Sequence, residues 1–275
     1  MKRMLSTLIG ICISTLSFGS IDTIITNNNK IPCNVREITP DAVKYSYEGE
    51  ELINSIYKNS VQKIIFKSGR VQTFAEATSF KVINNVEDFD NVTITQVESE
   101  IKGLYKIGDV SSKAKGTTNL SNQERVKERA YRKLKIGAAM MGANIIYLTN
   151  QRTEGNKYGG YYQSGSSAET NLTGIAYTNL LPNFEEFNKL IGERKEFLAI
   201  AHAKLWSSAS DMSISNIERN FTIDNIQNEN GLIIISGELQ GERDFDKFRV
   251  VSFDKDSFNI YYEDKSTVYN IKIKI

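Results

Sequence analysis

Residues 121–149, SNQERVKERAYRKLKIGAAMMGANIIYLT, constrain the fold most, because a helix pattern there runs straight into a strand pattern. Ser121 and Glu124 have capping-box spacing: the serine oxygen accepts from the N3 amide while the glutamate reaches back to the N-cap amide. Val126, Ala130, Leu134 and Ala138 then recur every four residues, and Tyr131, Ile136 and Met141 widen the apolar side. Arg125, Lys127, Glu128, Arg129, Arg132 and Lys133 fill much of the remainder, as on a helix with one buried stripe. Gly142 suits the C′ position, where a residue without Cβ enters the left-handed region freely. Beyond it, Asn144–Thr149 is short, apolar and rich in β-formers, and reads as a buried strand. Gly137, Ala138, Ala139, Gly142 and Ala143 let the helix lie close on a sheet.

A period-two pattern over Val92–Ile101 predicts a strand before the helix, and Leu172–Thr178 predicts another after it. The order strand, helix, strand, strand describes a small α+β layer with one helix on a sheet face. The segment KLKIGAAMMGANIIYLTN, followed by a glycine-rich turn and TGIAY, resembles the small domain of YbjQ-like proteins and of the Rcs stress-sensor lipoproteins, over residues 91–179. That resemblance implies a fold and a cell-envelope setting. Residues 91–179 contain neither Cys nor His, so the paired cysteines of the sensors and the metal-binding label of the YbjQ-like group have no counterpart.

The N-terminus fits an envelope setting. Met1-Lys2-Arg3, an apolar run over Leu5–Leu16, and Ser17 and Gly19 at −3 and −1 of a cut before Ser20 make residues 1–19 a secretory signal peptide; the alternative is an uncleaved anchor. Ile11 before Cys12 argues against a lipoprotein signal. Loss of Lys2 and Arg3 would take the formal net charge from +1 to −1, so no basic face invites nucleic acid. No other run is long and apolar enough to predict a transmembrane segment, so the mature chain is expected to be soluble. The mature chain would keep one cysteine, Cys33, which excludes an intramolecular disulfide and leaves a buried thiol or an intermolecular bond.

The expected class is therefore α+β, mostly β. Residues 20–76 predict five short strands in a small β-barrel-like module or curled sheet. Residues 77–90, with the acidic run Glu87-Asp88-Phe89-Asp90, predict a solvated linker; the spacing lacks the glycine-centred loop of an EF-hand. The α+β domain occupies 91–180, with Lys113–Thr118 as a flexible connection inside it. Residues 181–195 predict a connector helix after Pro182, stopped by Gly192, that covers a sheet edge or end. Residues 196–275 predict an antiparallel barrel or sandwich whose C-terminal edge strand is blunted by Lys272 and Lys274.

Catalytic chemistry is sparse. The single histidine, His202, lies among Ala199, Ala201 and Ala203 and is expected on the opposite strand face, in a structural or solvent-facing role. No nucleophile-elbow motif accompanies it, and one His with one Cys does not make a zinc site. Glu98 and Glu100 share a predicted strand face, where solvation is the simpler reading than paired-carboxylate catalysis. No cofactor or metal is expected. The candidate binding residues are Tyr158, Tyr161 and Tyr162, in a Gly/Ser-rich loop of the composition used by adaptable recognition surfaces; a long mobile hairpin tip is the plainer alternative. The reading is an exported, non-catalytic envelope protein that binds or senses an envelope protein or glycan. The alternatives are a structural or assembly component, and a carboxylate-based glycan-acting enzyme.

Overall fold

A computed structural model describes residues 21–26, 30–74, 80–161 and 164–275. The expected signal peptide lies outside the described residues, as do residues 75–79 of the boundary after the first module. Among the described residues strand accounts for 52% and helix for 16%, which places the fold in the mostly-β α+β class.

The first module contains β1 (Asp22–Thr26), β2 (Lys30–Ile38), β3 (Ala42–Ser46), β4 (Asn54–Tyr57), β5 (Val61–Ile65) and β6 (Val71–Thr73). They form an antiparallel sheet of order β4-β3-β2-β1-β5-β6, with β4 and β6 at opposite ends, so the sheet is open rather than a closed barrel. A register shift between Val35 and Glu37 lets β2 belong to both halves of it, since a bulge bends its strand. Ile24, Cys33, Val43, Tyr45, Val61 and Ile64 make the core. Asp22 pins it: its carboxylate accepts from the amides of Val35 (2.9 Å) and Lys67 (2.8 Å). Asn59 then joins the module to the next, its side-chain amide donating to the carbonyls of Ser99 (3.1 Å) and Glu100 (3.0 Å).

The central unit comprises β7 (Thr93–Thr95), the short helix α1 (Glu98–Ile101), β8 (Tyr105–Lys115), the long helix α2 (Gln123–Met140), β9 (Ile145–Glu154) and β10 (Glu169–Thr178). Its sheet runs β7-β9-β10-β8, with β7 parallel to β9 and the other pairs antiparallel. Several expectations are corrected here. The strand predicted over 92–101 covers only three residues, and Glu98 and Glu100 lie in α1. The connection predicted at Lys113–Thr118 begins inside β8. The solvated linker instead forms a 3-10 turn over Val86–Asn91 that buries Val86 and Phe89 beside α2, because Asp88 accepts from the Asn85 amide and closes a capping box. The N-cap of α2 is Asn122, whose Oδ1 accepts from the Arg125 amide (3.1 Å), while Ser121 Oγ accepts from the Thr118 amide.

The connector helix α3 (Phe184–Ile191) starts at the cap Asn183 and stops at Gly192. After it, β11 (Glu196–Trp206), β12 (Ser213–Glu229), β13 (Leu232–Leu239), β14 (Lys247–Phe253), β15 (Ser257–Asp264) and β16 (Thr267–Lys274) form a closed barrel. β16 pairs with both β11 and β15, so Lys272 and Lys274 guard no edge: closure leaves none. α3 stoppers one end. Phe187 is fully buried in the barrel core, with ring centroids 5.3 Å from Phe253 and 5.4 Å from Phe258.

The barrel and the central unit share α2. Ala203 and Leu205 of β11 join the core around Leu134, Ile136 and Met140. Arg249 donates to the carbonyls of Ile107 (3.1 Å) and Met141 (2.8 Å), and the Asn270 amide donates to Met140 (3.0 Å). Gly142 ends α2 with φ +77°, and a Cβ there would lie 2.6 Å from Val251 Cγ1, so both its backbone and its neighbour demand glycine.

Candidate binding site

The tyrosine loop caps the β9–β10 hairpin. The ladder runs out to Glu154–Glu169, and an isolated bridge between Lys157 and Ser166 closes the tip beyond it. Its base is pinned by Asn156, whose amide donates to the Ser121 carbonyl (2.8 Å) and whose Oδ1 accepts from the Ala168 amide (2.7 Å). The hairpin is thereby tied to the start of α2. Charges brace it as well: Arg152 pairs with Glu154, and Lys113 with Glu169 (2.8 Å). These partners hold both carboxyls below the usual glutamate range, the Arg152 hydrogen bond acting on Glu154 and the Lys113 bond on Glu169.

Tyr158 is 71% exposed and Tyr161 94% exposed at this tip. Tyr162 lies outside the described residues. Two mostly exposed rings on a pinned hairpin give contact area at low entropic cost, and the flanking Gly and Ser residues supply adaptable polar groups.

The other sequence candidates are scattered. His202 is half-buried on β11, opposite Ser215 and Ile271. Burial lowers its pKa, helped by Lys204 and Arg219, so the imidazole is neutral at pH 7. Cys33 is fully buried, and its thiol is pushed up to about 11 by loss of solvent, which makes it a poor nucleophile. Glu98 and Glu100 are exposed on α1. Among the described residues, no three His, Cys, Asp or Glu side chains gather as a metal site. No helix among the described residues is long and apolar enough to cross a membrane.

Two clefts escape sequence reading altogether, since each is assembled from distant segments. One, of about 300 Å³, lies between Val82–Asn84, Thr178–Asn183 and Val251–Phe253. The other, of about 510 Å³, runs between β8, α2 and the barrel, with Lys133 in its lining. Grouped by the sequence with the polar remainder of α2, Lys133 in fact stands seven residues after Val126 and three after Ala130, on the buried stripe, and its Nζ donates to the Ser207 carbonyl of the barrel. No family model, curated protein or solved structure matches the chain.

Proposed function

We propose that this is an exported, non-catalytic cell-envelope protein that binds or adapts an envelope protein, with the β9–β10 tip as its contact surface. The observation that carries the reading is the pairing of two mostly exposed tyrosines, Tyr158 and Tyr161, with a hairpin base pinned by Asn156. The leader pattern of residues 1–19 and the resemblance of residues 91–179 to envelope sensor domains support the compartment.

The test is crosslinked capture from native envelope, using residues 20–275 and a Tyr158→Ser/Tyr161→Ser variant. One reproducible protein partner is expected with the native tip and is lost from the variant, whose thermal midpoint stays unchanged. Equal recovery by both proteins removes the tip from the function. Recovery of glycan alone moves the protein toward carbohydrate binding or carboxylate-based glycan chemistry.

A second reading, a structural component of an assembly, is favoured by Leu52 and Ile53, which are 68% and 60% exposed immediately before the open-edge strand β4. Sedimentation as a strict monomer, with no partner crosslinked through this edge, would count against it.

A further inference from the structure

We propose that the cleft between β8, α2 and the barrel binds an extended peptide segment bearing a carboxylate, which lies along the free edge of β8 with Lys133 as its counter-ion. This site is separate from the tyrosine tip and does not rest on that reading.

Three observations meet in the cleft. First, β8 pairs with β10 alone among the described strands, and its Asp109–Lys113 stretch forms one wall. That is about 14 Å of strand edge offering main-chain donors and acceptors to another strand. At the Ile107 end the barrel already covers the edge, where Arg249 takes the Ile107 carbonyl. Beyond that point the wall opens onto the cleft.

Second, Lys133 is only 6% exposed, yet no carboxylate among the described residues lies within ion-pairing distance of it. Its Nζ donates to the Ser207 carbonyl on the barrel side. An ammonium carries three donors, and a buried charge without a counter-ion is costly to keep. Burial lowers the lysine pKa, the direction expected of a cation that lacks a counter-charge. A ligand carboxylate supplies both the missing charge and an acceptor.

Third, Trp206 stands on the barrel wall of the same cleft, 43% exposed, and offers an aromatic surface to a ligand side chain. A strand edge, a buried cation and an aromatic wall together suit a peptide main chain with an acidic group better than an oligosaccharide, which has no alternating amide pattern to match.

Trp206 is also the only tryptophan in the chain, so its emission reports occupancy. The purified protein is presented with two soluble heptapeptide pools, identical except for a central glutamate in one and glutamine in the other. Retained peptides are identified by mass spectrometry and titrated by tryptophan fluorescence. The glutamate pool is expected to be retained about tenfold better, its hits to shift Trp206 emission, and Lys133→Met to abolish both effects. The thermal midpoint of Lys133→Met is expected to be equal or higher, because a buried charge has been removed; Lys133→Gln serves if that variant fails to fold. The Tyr158→Ser/Tyr161→Ser variant is expected to bind the pool normally, which separates this site from the tip. Equal retention of the two pools, binding that survives Lys133→Met, or a Trp206 response to neutral oligosaccharide but to no peptide would each overturn the proposal.

Discussion

Cys33 shows how a residue's surroundings set its chemistry. A cysteine that stands alone among the described residues invites thoughts of reactivity, but Asp22 opposes it across the β1–β2 ladder and the core of the open sheet covers it. Desolvation is the main cause of its raised pKa, and the Asp22 charge adds to it. Native protein is therefore expected to resist iodoacetamide at pH 8, whereas urea-unfolded protein labels fully; intact mass reads the difference. The sign of the pH dependence follows. A thiol with a folded pKa of about 11, against an ordinary value of 9.0, contributes stability below pH 9 that is lost as pH rises through 11. Cys33→Ala is expected to flatten that part of the alkaline limb in urea titrations, by an amount of order 2 kcal/mol. Tyr45 and Tyr261, raised to about 12 mainly by burial, shape the limb above it. At this scale the tyrosine tip was legible, because composition alone identifies Gly/Ser/Tyr loops. The stripe position of Lys133, seven residues after Val126, was also there to be read; the cleft beside it was not, because nothing in a helix sequence says what a second domain will leave open.

Among the elements, α3 carries the clearest consequence. Its apolar positions Phe184, Phe187, Leu190 and Ile191 are readable as a helix face, and Asn183 caps it through the Glu186 amide (3.0 Å). Phe187 then enters a barrel end already crowded with Phe197, Phe253 and Phe258. Phe187→Ala is expected to cost about 3–5 kcal/mol, as for other buried phenylalanine truncations, measured as a fall in the urea midpoint. A loss near zero would mean that the barrel closes without its stopper. β8 is the contrasting element. Its inward positions are Val110, Ser112 and Ala114, too small and too polar for a hydrophobic alternation to stand out. Pairing with β10 makes it a strand, and Ser112 settles inward by donating to the Ala130 carbonyl of α2 (2.7 Å).

For the whole molecule, the question is whether the central unit and the barrel move as one. Three polar contacts from the barrel reach the end of α2 and the adjoining β8, and two come from a single side chain, Arg249. Its guanidinium also lies over the Tyr261 ring at 4.7 Å. Arg249→Met leaves two carbonyls unpaired at a largely dry contact and is expected to cost about 2–4 kcal/mol. The calorimetric transition of the pair is expected to be single in the native chain and to broaden or split in the variant. One sharp transition at the native midpoint would show that the remaining contacts, the packing of Ala203 and Leu205 and the Asn270–Met140 bond among them, hold the units without Arg249. The Lys133 cleft exists because of this docking, so its ligand binding and the junction are expected to fail together in Arg249→Met.

The sequence by itself determined what is local and periodic. The long helix with its glycine stop, the strand after it, the connector helix and the run of C-terminal strands each declare themselves through spacing and turn residues, which need no knowledge of neighbours. Only the tertiary structure decided which strand ends would meet. Barrel closure through β11 and β16 depends on residues some seventy positions apart, and the order of the open first sheet on β1–β5 pairs some forty apart. It also decided what the acidic stretch at 86–91 would do, because Val86 and Phe89 have no core to enter until α2 is in place. The same holds for the cleft: β8, α2 and Trp206 come from separate elements, and the space between them and Lys133 is a property of contact rather than of pattern.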